Sequence, residues 1–397
     1  MAYDRLTALD ETFLHLETVE TPMHVGAVAI LEREPLVGPD GRFRLDDVRA
    51  LVTSRLPLIP RFRRRVQHVP FGFGRPVWVD DPDFDIATAI FDFGRELTVI
   101  DAPPWTPEPE PEPGRLMLDS LCDRVRTPVE LAGVARRGMA APREALDRAS
   151  QVVRAITALV GYGTMAPTLS INGPIGRGRR IAMVRVPLDP VKDVRKAFDC
   201  TVNDVILAGV GGALARLLDA RGELQPDLAV KVFCPVSVRD DEQHTQLGNR
   251  ISAMFVPIPV GEPDAGARLD AVRAATANLK DREQAVGAAT LIGLTEFAAP
   301  TLLGLAARAA HGQPFANLIV TNIPGPQIPL YCLGAEMLEV YPLAPLSRNL
   351  TINVAVLSYC GELHFGLVGD GAAAPDLELL AGGIEDAFEE LHALALS

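Results

Sequence analysis

The residues in this sequence best suited to moving a proton near neutral pH are its seven histidines, His15, His24, His68, His244, His311, His364 and His392. An imidazole titrates close to physiological pH, so any of them could serve as a general acid or base if a substrate reached it. No two are adjacent in the chain. Other routes to group transfer are missing from the pattern. There is no G-x-S-x-G elbow, no C-x-x-C pair and no Cys/His spacing that would hold zinc, so no metal site is expected. Cys122, Cys200, Cys234, Cys332 and Cys360 are scattered and read as reduced core residues. Two polar stretches stand apart. In "TVND" Asn203 reads as a helix cap with Asp204 in the first turn, and in "TNIPGP" the residues Thr321, Asn322, Pro324, Gly325 and Pro326 read as a Pro-Gly turn after a strand.

These groups need a scaffold, and 397 residues can bury more than one core. The chain is 48% hydrophobic and 22% charged, within the globular range. Its net charge of −13 repels phosphate backbones, so nucleic acid is not an expected partner. The basic runs "RFRRR" (61–65) and "RGRR" (177–180) read as exposed edges rather than anion sites.

Strand patterns fall at 23–31, 62–69 and 76–79, with a helix at 45–55. The tract "DAPPWTPEPEPEPG" (101–114) alternates proline with acids and reads as an extended spacer, followed by helical character over 115–160. Further strands are predicted at 181–188, 228–238, 250–260, 317–321, 336–340, 350–357 and 362–368. Helices are predicted at 191–198, after Thr201 with Gly222 as its C-terminal cap, at 264–280, and on the apolar stripe Leu377, Leu380, Ile384, Phe388, Leu391. The apolar stretch 285–310 is broken by Glu296, Pro300 and Arg308, and reads as a buried or lipid-facing helix pair, not a membrane span. Mixed strands and helices without strict alternation point to an α+β fold with mixed sheets. The "GVGG" at 209–212 lies inside a helix and signals close packing, not a phosphate loop.

Taken in order, "LDETFLHLETVETPMHVG", "PRFRRRV", "GRPVWVDDPDFD", "TVNDVILAGVGGALARLL", "GNRISAMFVPIPVG" and "LIVTNIPGPQIPLY" resemble the motifs of the bacterial wax ester synthase/diacylglycerol acyltransferase family. The resemblance spans nearly the whole chain. It implies two domains of the chloramphenicol acetyltransferase type (CoA-dependent acyltransferase) at 1–100 and 169–397, joined by a linker and crossover helices at 101–168. It also implies transfer of a fatty acyl group from acyl-CoA, as substrate and with no cofactor, to diacylglycerol or a long-chain alcohol. The implied setting is cytoplasmic, with lipid droplets or the inner membrane as surfaces for a peripheral protein; the start "MAYDRLTALDETF" has no signal-peptide pattern. On motif position, Asn203, Asp204, Thr321, Asn322, Pro324, Gly325, Pro326 and His24 become candidates for the substrate tunnel or its frame.

Such a transfer needs a base, because the acceptor hydroxyl must lose its proton as it attacks the thioester; a positioned imidazole contributes about 10²–10⁴-fold. In the family this is the second histidine of a His-His-x-x-x-Asp-Gly motif, and that motif does not occur here. The nearest stretch, "HFGLVGDG", sets His364 and Asp370 six apart and matches an ordinary family strand, so His364 reads as structural. The family resemblance also locates where the motif would have been. "DDPDFDI" and "DIATAIFDFG" belong to segments that the family separates by several tens of residues including the double histidine, and here they abut at Ile86. The N-terminal domain is therefore expected to be shortened internally and less stable than the C-terminal one.

Overall fold

A computed structural model describes residues 4–70, 74–84, 111–118, 165–237, 251–286, 316–347 and 349–397. The N-terminal portion supplies α1 (Ala8–Leu16), β1 (Gly26–Leu31), α2 (Leu45–Arg55), β2 (Arg64–Gln67) and β3 (Val77–Asp80). The rest supplies β4 (Arg179–Pro187), α3 (Leu188–Ala197), α4 (Val202–Ala220), β5 (Ala229–Ser237), β6 (Ile251–Pro259) and α5 (Ala265–Val286). After these come β7 (Leu318–Pro324), β8 (Tyr331–Cys332), β9 (Ala335–Leu343), β10 (Ile352–Tyr359), β11 (Glu362–Asp370) and α6 (Leu377–Ala395).

The alternating strands build a six-stranded sheet in the order β4-β11-β10-β7-β5-β6. It is mixed, as expected: β7 runs parallel to β10 and β5, and the other neighbours are antiparallel. One face carries Val184, Val232, Val256, Val320, Val354 and Phe365, all buried against a layer made by α3, α4, α5 and α6. Burying each such side chain contributes about 1.5–3 kcal/mol, and this one cluster runs through every strand of the sheet. Helix α4 is buried from Asp204 to Leu214, which explains why its sequence is apolar all round. A Cβ on Gly209 would come within 2.5 Å of the Phe388 ring and one on Gly211 within 2.5 Å of Ile258, so the glycines of "GVGG" serve close packing as predicted. Gly222 adopts φ +69 and closes α4, its N–H donating to Asp219 O and that of Glu223 to Leu218 O.

The opposite face of the sheet is crossed by residues 330–346. β9 lies over β10 and β11, so closely that a Cβ on Gly366 would stand 1.8 Å from the Pro342 carbonyl oxygen. β1 pairs antiparallel with β9, from Gly26 opposite Leu343 to Leu31 opposite Met337, and β8 flanks β9 on its other side. The N-terminal strand is thus hydrogen-bonded to a C-terminal one. α2 joins the same contact, Val48 and Leu51, together with Leu36 from the turn before it, packing on Cys332 and Ala335.

Several boundaries differ from the sequence reading. α1 was not anticipated, although Thr7 and Asp10 form a complete capping box at its start. Leu188 belongs to α3 rather than to the strand before it. Helical structure begins at 113, where proline fits the first turn, and Leu116 is buried against Val69, Val77 and Val79. That end of the proline-acid tract is therefore docked rather than a free spacer, while residues 101–110 lie outside the described residues, as do the junction from Ile86 onward and the apolar stretch from 287. Cys200, Cys234 and Cys332 are buried or half-buried free thiols, but Cys360 is exposed at the β10–β11 turn, a correction to its assignment to the core; Cys122 is outside the described residues. Among the described residues, no single helix is long and apolar enough to cross a membrane.

Candidate functional site

The first candidate pair sits where α4 begins. Thr201, not Asn203, is the N-cap, because its hydroxyl accepts from Asp204 N at 3.2 Å and its own N–H donates to the Asp204 carboxylate at 2.8 Å. Asn203 lies two positions further in, inside the first turn, and is half-buried. Asp204 is only 2% exposed and is fully engaged: Oδ2 also accepts from Thr201 Oγ1 at 2.7 Å, and Oδ1 from Thr276 Oγ1 at 2.7 Å. The carboxylate ties the start of α4 to α5. Its lone pairs are committed to holding two helices, which leaves it a framing residue rather than a proton acceptor.

The second candidate group ends β7. Thr321 and Ile323 share the face crossed by 330–346, with Thr321 opposite Ala355 and Asn322 opposite Val356 on β10. The turn itself folds over the β10–β11 hairpin. Gly325 N donates to Ser358 Oγ at 3.1 Å, and a Cβ there would lie 2.2 Å from Ser358 O. Pro326 O accepts from Cys360 N at 3.3 Å, and Gln327 Oε1 accepts from Gly361 N at 3.0 Å. Pro324 and Pro326 are exposed. No hydrogen bond or ion pair joins this turn to the start of α4 among the described residues.

The histidines are spread out. His24 is on the surface, its side chain 81% exposed and 3.8 Å from Glu17. His15 is half-buried, with Nε2 3.7 Å from the Glu11 carboxylate one turn earlier on α1; burial raises the Glu11 pKa, partly offset by His15. His68 follows β2 and is exposed, and His392 lies 3.8 Å from Asp193. His244 and His311 are outside the described residues. His364 is buried on β11, edge-on to Tyr341 at 5.2 Å. Burial lowers its pKa, so the ring is neutral.

The cysteines add no nucleophile. Burial pushes the Cys234 thiol up to about 12, and burial with the nearby Asp204 charge pushes Cys200 up to about 11. The "RFRRR" run is a largely half-buried, ion-paired edge, where the sequence pointed to an exposed one. Arg61 and Arg64 both bond Asp4, Arg64 also bonds Asp80, and Arg61 stacks 4.8 Å over Trp78. Among the described residues no cluster of His, Cys, Asp or Glu could hold a metal ion.

A mixed sheet with helices on one face, a segment crossing the other and a Pro-Gly turn at its rim is the half-unit of a CoA-dependent acyltransferase fold. The solved structure of the wax ester synthase/diacylglycerol acyltransferase from Marinobacter aquaeolei VT8 matches with a TM-score of 0.63 over 99% of this chain and 100% of that one, at 19% identity. The sequence comparison is more specific. The model of the wax ester synthase/diacylglycerol acyltransferase catalytic domain matches residues 6–92 and 88–206, and that of the WS/DGAT C-terminal domain matches 247–392. The chain belongs to the wax ester synthase/diacylglycerol acyltransferase family. A Mycobacterium bovis protein and a Mycobacterium tuberculosis protein, both named as diacylglycerol O-acyltransferases, are each 29% identical over 99% of this chain and 96% of their own length. Those alignments run over 463 positions, more than the 397 residues of this chain, so each relative carries residues for which this chain has no partner. The catalytic-domain match breaks at 88–92, beside Ile86.

Proposed function

We propose that this chain is an acyl-CoA-dependent O-acyltransferase that moves a fatty acyl group onto diacylglycerol or a long-chain alcohol. The observation that carries the reading is the ordered match of both family domains along nearly the whole chain. In this reading the halves 1–100 and 169–397 enclose the acyl chain, with 101–168 crossing between them. The 321–326 turn and Asn203 frame one wall of the site, and Asp204 fixes the helix start behind it. The apolar product and acceptor favour work at a lipid droplet or at the cytoplasmic face of the inner membrane.

The chemistry sets the demand on this chain. The acceptor oxygen attacks the thioester carbon, its proton passes to a base, and coenzyme A leaves as the thiol. With no double histidine in the sequence, another group must take that proton. Purified protein should release coenzyme A from a long-chain acyl-CoA in a diacylglycerol-dependent manner, with triacylglycerol formed in equal amount. Acyl-CoA that raises the melting temperature while yielding no product would overturn this reading and leave a protein that binds acyl chains without transferring them.

A further inference from the structure

The crossing segment 330–346 is anchored at both ends and uncompensated in the middle. At one end the Tyr359 hydroxyl donates to Met337 O at 2.8 Å and accepts from Leu330 N at 2.9 Å. At the other, Asn353 Nδ2 donates to Pro345 O at 2.9 Å, and Leu343 and Leu346 pack on Val368. Between these anchors His364 is 1% exposed, and neither of its ring nitrogens has a hydrogen-bond partner. Buried polar atoms are nearly always satisfied, so a ring with two orphaned nitrogens at a contact between two sheets is an energetic weak point.

The groups facing the ring define what a proton there would meet. From β9 come Glu339 and Tyr341, from β4 Arg185, which stands directly opposite His364, and from β10 Tyr359. Glu362 lies two residues away on β11 itself. Glu339 would favour an imidazolium, but its carboxylate is already engaged by Arg185 Nη1 at 3.0 Å and by the Tyr341 hydroxyl at 2.7 Å. Arg185 opposes a second positive charge, and the Tyr359 backbone approaches without a hydrogen bond of ordinary geometry. With Tyr341 seated over the ring, water cannot reach either nitrogen.

We propose that His364 makes the seating of 330–346, and through β9 the docking of the N-terminal strand β1, sensitive to protons. The strap holds while the imidazole is neutral and loosens when the exposed ring takes up a proton. Once the strap lifts, the ring meets water and titrates near its ordinary value of about 6.5. The seated form binds fewer protons than the lifted one, so seating is complete above about pH 6.5 and weakens as pH falls below it. One proton gives a limit of about tenfold in the seating equilibrium per pH unit. The β1–β9 pair would then be the acid-labile part of the molecule, while β5–β6 on the far side of the sheet would not respond.

Amide hydrogen exchange on the full chain, corrected for the intrinsic rate at each pH, reads this directly. Between about pH 7.5 and about pH 5.5, protection of the β1 and β9 amides should fall by up to about tenfold in the wild type, with β5 and β6 unchanged. His364→Phe keeps a ring and removes the titration, so its β1–β9 protection should be flat over the same interval. The other six histidines are present in both proteins, so the difference isolates His364. If His364→Phe does not fold, His364→Gln supplies an uncharged polar replacement with the same expected flatness. A wild type without the loss, or a variant that keeps it, overturns the proposal. Neither measurement depends on acyl transfer, so failure here leaves the enzymatic reading standing.

Discussion

Two helices in this chain open with the same device and use it differently. In α1 the Thr7 hydroxyl accepts from Asp10 N at 3.1 Å and the Asp10 carboxylate accepts from Thr7 N at 3.3 Å, with both residues half-buried. In α4 Thr201 and Asp204 repeat the pattern, but Asp204 is buried and takes a further bond from Thr276 on α5. The local chemistry is one motif. In the second case the carboxylate is almost fully removed from water and ties its helix to a second one.

The same contrast holds for the regions around those helices. The C-terminal sheet and its helix layer share one continuous apolar core. The described N-terminal portion has only small clusters, and two of them include C-terminal residues: Cys332 and Ala335 beneath α2, and Met337, Val340 and Tyr359 beneath β1. The N-terminal portion is therefore stabilised in large part by its contact with 330–346, where the internal shortening implied by the family comparison would leave it short of core.

The sharpest way to break this comparison is at the contact itself. Gly366→Val places a branched side chain where Pro342 O already sits, and should cost on the order of 3 kcal/mol or more, read as a lower denaturant midpoint and loss of β1–β9 protection. Next, Asp204→Ala removes bonds from Thr201 and Thr276 in a buried setting and should cost about 2–3 kcal/mol, by denaturant titration. Asp10→Ala, the same substitution in the half-buried box of α1, should cost about 1 kcal/mol. Equal losses at Asp204 and Asp10 would mean that the box alone, and not its burial, sets the energetics. Smallest of all, Arg64→Ala breaks half-exposed pairs with Asp4 and Asp80 and should change stability by less than about 1 kcal/mol, with the effect fading in high salt.

Much of this molecule was legible without coordinates. The α2 boundaries, the strands from β4 to β11 apart from two-residue β8, the Gly222 cap and the close-packing role of "GVGG" follow from local periodicity and residue type. α1 was legible in principle from Thr7 and Asp10, a signal overlooked beside the apolar strand that follows. The candidate site was legible only in part. Motif position selected Asp204 and the 321–326 turn, but their hydrogen bonds mark them as frame, and the choice of Asn203 as cap failed because Thr201, two residues earlier, is the one whose hydroxyl accepts from Asp204 N.

What the sequence determined by itself is the family, the α+β class, the element order and the absence of a double histidine, because each is a property of neighbouring residues or of their spacing. Only the tertiary structure decided that β1 pairs with β9, that Gly366 lies under Pro342, and that His364 is sealed without a partner. Those facts join residues that lie far apart along the chain. A side chain's burial and its partners are set by which distant segment packs over it, and no local pattern carries that information.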